Sequence, residues 1–320
     1  MRVIQECPLC GTAGLRDLFT ARDPHYGIPG EYRIVRCAAC GLQFVDPMPS
    51  DEELASLYPS DYYAYSEAPK ASPWKLKAKR LLGYWQGTKE PRFERPGRFL
   101  DIGCGSGDFV ARMGAQGWDS HGIEINEQAA TKGCLRGLQI SKGTIQDTKF
   151  DAEEFDYVRA SHSFEHTARP RETLDEIYRV LRNDGRLLLA VPNAAGLPGR
   201  VFRKYWWHLC APVHPFGYSV TTLSRMLHEH GFRVTRVIFN SDYVGVLGSV
   251  QIWLNRKNGK KSFEGPVFRN RPLRIVCGWI QKICDLARVG DMIEVHAQKA
   301  ETSIHNEKPA QTSSEISAAA

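Results

Sequence analysis

Apolar positions along this chain change period several times, and the changes mark out its elements. From residue 98 onward, short apolar runs alternate with stretches whose apolar residues recur every three or four positions. RFLDI (98–102), HGIEI (121–125), LQIS (138–141), FDYVRAS (155–161) and RLLLAVP (186–192) read as strands, and runs this apolar suit strands covered on both faces. RETLDEIYRVLRNDG places Leu174, Ile177, Tyr178 and Leu181 on one helical face, with Asn183-Asp184-Gly185 as its stop. TTLSRMLHEHG repeats that spacing at Leu223, Met226, Leu227 and His230, ahead of Gly231. A helical stretch runs to Gly117, and Asn126 is placed to cap the helix after the second strand. FRVTRVIF (232–239), a helix near 273–288 and a last strand MIEVHAQK complete the pattern. Strands separated by helices of this length predict an α/β fold with a doubly wound, Rossmann-like, mainly parallel sheet.

Ahead of this region the chain changes character. Residues 1–48 read as a small module in which two C-x-x-C pairs, Cys7/Cys10 and Cys37/Cys40, are separated by 26 residues. Paired thiolates at that spacing suit a tetrahedral zinc site, each pair on its own tight turn. Gly11 and Gly41 follow the pairs and permit the positive φ such a turn needs. Four thiolates leave no open position for water, so the zinc would be structural in a zinc-ribbon-like module. The remaining cysteines, at 104, 134, 210, 277 and 284, lack ligand spacing and read as small buried apolar residues. Residues 49–97 form a helical linker, in which WKLKAKRLLGYW (74–85) carries one apolar face and a basic remainder. The main domain is expected over 98–300. The Ser-, Thr- and Ala-rich residues 301–320 read as a disordered tail.

Charge adds a local feature. The chain of 320 residues carries a formal net charge of +6. Residues 69–98 hold nine Lys/Arg against two Glu, and residues 256–282 hold eight against Glu264 alone. Two basic segments on a mildly acidic body suggest an anionic partner, such as a membrane surface. The start, MRVIQECPLC, lacks the apolar core of a secretory signal, which predicts a cytoplasmic protein, peripheral at most to a membrane.

The chemistry concentrates in LDIGCGSGDF (100–109). A buried strand ends at Asp101, and Gly103, Gly105 and Gly107 then turn the backbone into a helix, with no Cβ to keep a nucleotide-sized ligand away. In a dinucleotide fingerprint the third glycine would fall at 108, which is Asp108. A carboxylate opening that helix repels a pyrophosphate, so the turn favours a ligand without phosphates and with positive charge.

These residues resemble the first motif of the class I S-adenosylmethionine-dependent methyltransferases. The resemblance extends over about 98–240 and the last strand. It implies that Asp101 and the three glycines border the cofactor, and that Glu124 binds the ribose hydroxyls. It implies further that Asp147, in KGTIQD, accepts from the adenine amino group, and that His162 lines the methionine end. The two C-x-x-C pairs with CGLQFVDPMPSDEEL resemble a bacterial subgroup with an N-terminal zinc-binding module, whose members tend to act on sugars, lipids or specialised metabolites.

For transfer to a hydroxyl, a histidine titrating near neutrality is the economical base. His166, in FEH after the fourth strand, and His214, in APVHPFGYS, are the candidates. Glu165 beside His166 resembles part of a divalent-ion site in some quinone O-methyltransferases. The aromatic and basic segment RVFRKYWWHL (200–209) lies where the family places a substrate lid. The expected activity is methyl transfer to a small-molecule, sugar or lipid-linked acceptor, at oxygen. The alternatives are an RNA methyltransferase gripping phosphates through its basic segments, and a binding protein of the same fold without catalysis. Ala160-Ser161-His162-Ser163 stands where base-amine methyltransferases carry an Asn/Asp-Pro-Pro-aromatic motif, which argues against a nucleic-acid base as acceptor.

Overall fold

The computed structural model describes residues 1–57, 90–268 and 270–300. The expected helix at 74–85, the tyrosine-rich connection after residue 57 and the tail 301–320 lie outside them.

Three antiparallel strands open the chain: β1 (Leu15–Ala21), β2 (Tyr32–Cys37) and β3 (Gln43–Asp46), followed by the short helix α1 (Asp51–Leu57). The alternating part then runs β4 (Arg98–Ile102), α2 (Asp108–Gly114), β5 (Asp119–Glu124), α3 (Glu127–Leu135), β6 (Gln139–Lys142), β7 (Phe155–Ser161), α4 (Pro170–Val180) and β8 (Leu181–Pro192). It continues through α5 (Leu197–Phe202), β9 (Phe216–Gly217), α6 (Val220–Glu229), β10 (Phe232–Phe239), α7 (Tyr243–Asn255), α8 (Arg271–Leu286) and β11 (Met292–Lys299).

The large sheet has the order β10-β11-β8-β7-β4-β5-β6. β4 pairs in parallel with β5 on one side and β7 on the other, while β11 runs antiparallel between β8 and β10. The expected doubly wound, mainly parallel sheet is therefore present. Its direction of winding reverses between β4 and β7, so the connections that leave the carboxyl ends of these paired strands run to opposite sides and open a crevice there. Phe99 and Leu100 on β4 and Leu188 and Leu189 on β8 are fully buried, as strands covered by helices on both faces require.

Three elements differ from the sequence reading. α4 ends at Val180, one turn before Asn183-Asp184-Gly185. Leu181 is fully buried and already pairs with Phe155, and the next pair in the ladder is Tyr157 with Arg186. Residues 182–185 are thus looped out as a bulge inside β8, because burying Leu181 in the sheet outweighs one more helical turn. α7 stands in the stretch between FRVTRVIF and the helix near 273, where the apolar pattern marks no element. Its sequence YVGVLGSVQIWLN is apolar nearly all round, which erases the periodic signal and marks a helix enclosed on several sides. A side chain at Gly248 would meet the Trp207 ring, so the glycine is what lets that indole pack against the helix. Among the other cysteines, Cys277 and Cys284 are buried, but Cys134 is exposed, at the end of α3.

β9 joins the two parts of the molecule. Phe216 pairs with Phe44 and Gly217 with Gln43, so the small sheet has the order β1-β2-β3-β9 and borrows its last strand from the main region. One hydrophobic core runs through both: Leu9, Val35 and Phe44 cluster with Phe164, Tyr218 and Leu227. Arg171 on α4 also donates to the Leu9 carbonyl at 3.0 Å. Among the described residues no helix is long and apolar enough to cross a membrane.

Because the core is shared, truncating it on the module side should be felt by the whole chain. Phe44→Ala, at a side chain 1% exposed, is expected to lower the unfolding free energy by about 3–5 kcal/mol in a single transition seen alike by near- and far-ultraviolet circular dichroism. Two separate transitions would show that the module folds independently.

Candidate active site

The turn after β4 is built by backbone that only glycine accommodates. Gly103, Gly105 and Gly107 have φ of +71°, +57° and +82°, values strained for any residue with a Cβ. A Cβ at Gly103 would also collide with Ser163, whose hydroxyl donates to the Ile102 carbonyl at 2.6 Å. The ends of β4 and β7 are thereby held against each other.

Glu124, at the end of β5, ties down the other side. One carboxylate oxygen accepts from the Gly105 N–H at 2.8 Å and the other from the Asn126 N–H at 2.8 Å. Burial pushes its carboxyl upward in pKa, and those two backbone donors pull it back. Asp101 is 2% exposed and bonds the Arg159 guanidinium at 2.8 Å. Arg159 in turn lies 3.9 Å from the centre of the Phe109 ring. This ion pair forms the floor of the turn. Asp108, at the start of α2, is met by Arg136 at 2.8 Å. Part of the negative charge expected to repel a pyrophosphate is thus neutralised.

Above this floor lies a cavity of about 580 Å³ at the carboxyl ends of β4, β5 and β7. Asp101, Gly103, Gly105, Glu124 and His162 line it, with Ile125, Ile145 and Phe164 as apolar walls. Gly107 lies just behind, where a Cβ would press on Leu138 and Ile140 at 2.6 Å. Asp147 is not brought into this cavity. It is exposed, and its carboxylate accepts from the Thr144 N–H at 2.8 Å and the Thr144 hydroxyl at 2.7 Å. Those bonds hold its pKa below the usual carboxylate range and leave the cavity edge to Gly143, Thr144 and Gln146.

A second cavity, of about 430 Å³, adjoins the first. His162 and His166 line both, so the two spaces meet at these side chains. His162 sits at φ +56°, held by its N–H donating to the Ala190 carbonyl at 2.8 Å. A non-glycine residue in this region stores strain that the surrounding structure must fix. Beyond it, His166 and His214 stand edge to face with ring centres 4.5 Å apart. The His166 Nδ1–H donates to the Val213 carbonyl at 3.0 Å, and the His214 Nδ1–H donates to the His208 carbonyl at 2.9 Å. A carbonyl can only accept, so both rings are fixed with the proton on Nδ1 and the basic lone pair on Nε2.

Burial lowers the pKa of His166, and lowers that of His214 to about 3, with the His166 charge adding to the effect. Both rings are therefore neutral at pH 7. Glu165 is 2% exposed. Burial alone would raise its carboxyl, but His162, His166 and His214 draw it down to about 2. Donor atoms of Glu165, His166 and His214 lie within 4.8 Å of one another, a set that can take a divalent cation.

Several cavity residues were not singled out from the sequence. His25, in the loop between the C-x-x-C pairs, lines the second cavity. Its Nε2–H donates to the Trp207 carbonyl at 2.9 Å, leaving Nδ1 to accept from Ser262 at 2.8 Å. Asp242 and Phe263 line the same space, and Arg159 underlies the first. None sits in a local motif; only tertiary folding collects them. Within the 200–209 segment, Trp207 faces the cavity, whereas Trp206 is 4% exposed and donates to Asp291 at 3.3 Å.

In the N-terminal module the Sγ atoms of Cys7, Cys10, Cys37 and Cys40 lie within 4.8 Å of one another, with Cys7–Cys40 and Cys10–Cys37 at 3.5 Å. A tetrahedral zinc with bonds of about 2.3 Å sets sulfur atoms about 3.8 Å apart, so the four thiols fit that ion. Gly11 and Gly41 have φ of +70° and +82°, as the turns require.

A sequence profile described as a methyltransferase domain matches residues 74–237, just over half of the chain. The chain is 23% identical over 197 residues to a demethylmenaquinone methyltransferase of Listeria monocytogenes, covering 52% of this chain and 79% of that relative. It is 33% identical over 112 residues to a ubiquinone/menaquinone biosynthesis C-methyltransferase of Sinorhizobium fredii, covering 32% of this chain and 43% of the relative. Among solved structures, a SAM-dependent methyltransferase from Archaeoglobus fulgidus aligns with a TM-score of 0.43 at 22% identity, over 71% of this chain and 93% of that one.

The neutral histidines make stability depend on pH. His208 and His214 have folded pKa values of about 3, against about 6.5 when unfolded. The unfolded chain therefore binds protons that the folded chain refuses, and this contribution, complete above pH 6.5, is lost as pH falls toward 3. Each histidine is expected to remove up to about 1.4 kcal/mol per pH unit over that window. Urea unfolding at pH 7 and pH 5 should show a shallower decline in His208→Asn/His214→Asn; an unchanged decline would contradict the neutral state.

Proposed function

The chain belongs to the methyltransferase-domain family and is an S-adenosylmethionine-dependent methyltransferase; from that premise we propose that the glycine-lined cavity holds the methyl donor and the histidine-lined cavity the acceptor. The observation that carries this reading is the meeting of the two cavities at His162 and His166. A donor in one and an acceptor in the other would face each other there, shielded from water. The residues of the first cavity fit a cationic nucleoside. Each Glu124 oxygen keeps a second lone pair for a ribose hydroxyl, and the buried Glu124 carboxylate favours a positive ligand.

S-adenosylmethionine, when bound, supplies an activated methyl group, so the chain's own task is to align the acceptor and take its proton. His166 and His214, each with its lone pair on Nε2, are the proposed bases. The second cavity suits a hydroxylated ring. Glu165 and Asp242 offer hydrogen-bond acceptors, and Trp207, Tyr26 and Phe263 offer flat apolar surface. We read the acceptor as a small molecule, a sugar or a lipid-linked molecule, methylated at oxygen, in a cytoplasmic protein that reaches a membrane only peripherally. The two curated relatives named above are, by their names, quinone-pathway methyltransferases, one of them a C-methyltransferase. A base at this position serves a carbon acid as well as a hydroxyl. We further propose structural zinc at Cys7, Cys10, Cys37 and Cys40, which would brace the loop that carries His25 to the acceptor cavity.

The donor set of Glu165, His166 and His214 favours a second reading of the same site, in which a divalent ion orients the acceptor. A second metal equivalent that survives Cys7→Ser and is lost in Glu165→Gln would support it.

Glu124→Ala is expected to weaken S-adenosylmethionine binding in calorimetry by roughly ten- to one-hundred-fold, the worth of hydrogen bonds to a charged acceptor. Asp147→Ala should change it far less; the reverse ranking would overturn the assignment of the ribose site. With the acceptor found by intact-mass analysis of cell metabolites given isotopically labelled donor, His166→Asn and His214→Asn should lower kcat by about 10²–10⁴-fold at unchanged donor affinity. Unchanged turnover would remove both from the mechanism. Labelled RNA, or no labelled product, would favour the alternatives.

A further inference from the structure

α8 buries Cys277, Gly278, Gln281 and Cys284 along one side and packs on α7. Its opposite side is apolar and open. Leu273, Val276, Trp279, Ile280, Ile283 and Leu286 are all exposed, Ile283 by 64% and Leu286 by 86%, and this stripe contains no charged residue. Trp253 and Leu254, at the end of α7, are exposed as well. A contiguous apolar face of this kind on a folded chain marks an interaction surface.

The charges around it indicate what it meets. Arg256 lies over the Trp253 ring at 4.1 Å, and Lys282 lies over the Trp279 ring at 4.7 Å. Lys257, Lys260 and Lys261 are exposed in the connection between the two helices, where Glu264 is the only acid, and Arg271 is exposed at the start of α8. That connection is held in place: the Asn255 side chain donates to the carbonyls of Lys261 and Glu264, each at 2.8 Å, and the Ser262 N–H donates to the Pro24 carbonyl at 2.8 Å. Exposed tryptophans with cations stacked on them, beside a charge-free aliphatic stripe, match the layering of a lipid interface, with acyl chains below and phosphates above. We infer that the exposed face of α8, with the basic connection that precedes it, docks the protein on a membrane surface rich in anionic lipid. Phe263, two residues beyond Lys261, is half exposed and also lines the second cavity. Docking by this face sets one wall of that cavity beside the headgroups.

The inference does not depend on the acceptor, and vesicle binding tests it without any methyl transfer. The full-length protein should float with vesicles of phosphatidylcholine mixed with phosphatidylglycerol and remain unbound with phosphatidylcholine alone. Ile283→Asp/Leu286→Asp, and separately Lys257→Glu/Lys260→Glu/Lys261→Glu, should each lower binding at least roughly ten-fold, and added salt should weaken it. All these side chains are exposed, and retained thermal stabilisation by S-adenosylmethionine verifies that each variant is folded. Binding that either variant leaves intact would overturn the inference, as would equal binding to both kinds of vesicle. So would a dimer of the native chain in light scattering that Ile283→Asp/Leu286→Asp dissolves, since the face would then belong to a second copy.

Discussion

A single buried carboxylate ties together the two strand ends on which the site is built. Glu124 stands at the end of β5, yet its oxygens accept backbone N–H groups from the turn after β4 and from the start of α3. The turn can reach it because three glycines take up backbone angles that a Cβ would strain. Beneath it, the Asp101–Arg159 pair fills the floor with matched charge. An unpaired acid so deeply buried would be costly to hold ionised; paired, it stiffens the floor and leaves Glu124 as the acid that faces the cavity. The first cavity is therefore rigid, negative and free of side chains at its closest wall.

The second cavity depends on the first through β7. That strand delivers His162 in a strained conformation, followed at once by Glu165 and His166 in a tight turn. Backbone carbonyls of the segment between β8 and α6 then fix the tautomers of His166 and His214. Burial keeps both rings neutral at pH 7 and at the same time lowers their basicity, that of His214 to about 3, so their charge state is set by the fold and not by histidine alone. The N-terminal module contributes His25 to the same space. Because β9 completes its sheet and one core runs through both parts, the four-cysteine turns are packed into the same body as the cavity.

Much of this was legible in the sequence. β4 and the second half of β8 announce themselves because central strands buried on both faces must be almost wholly apolar. Gly103, Gly105 and Gly107 are legible because no other residue fits their backbone. Where the reading failed, tertiary packing had overridden local signal. α7 hid because enclosure on several sides removes the polar face that reveals a helix. The Asn183-Asp184-Gly185 stop lost to the burial of Leu181. Asp147 is exposed beside the first cavity, with one carboxylate oxygen bonded to its neighbour Thr144, a local turn that its sequence does not announce. His25 and Arg159 carry no motif, since what makes them part of the site is distant chain folded against them.

The most direct test of the two-cavity account is a crystal structure of the zinc-loaded protein with S-adenosylhomocysteine. The account predicts the ribose against the Glu124 carboxylate and the sulfur directed at the junction between His162 and His166, with the second cavity open beyond it. A nucleoside lodged elsewhere, or a sulfur facing away from that junction, would contradict it.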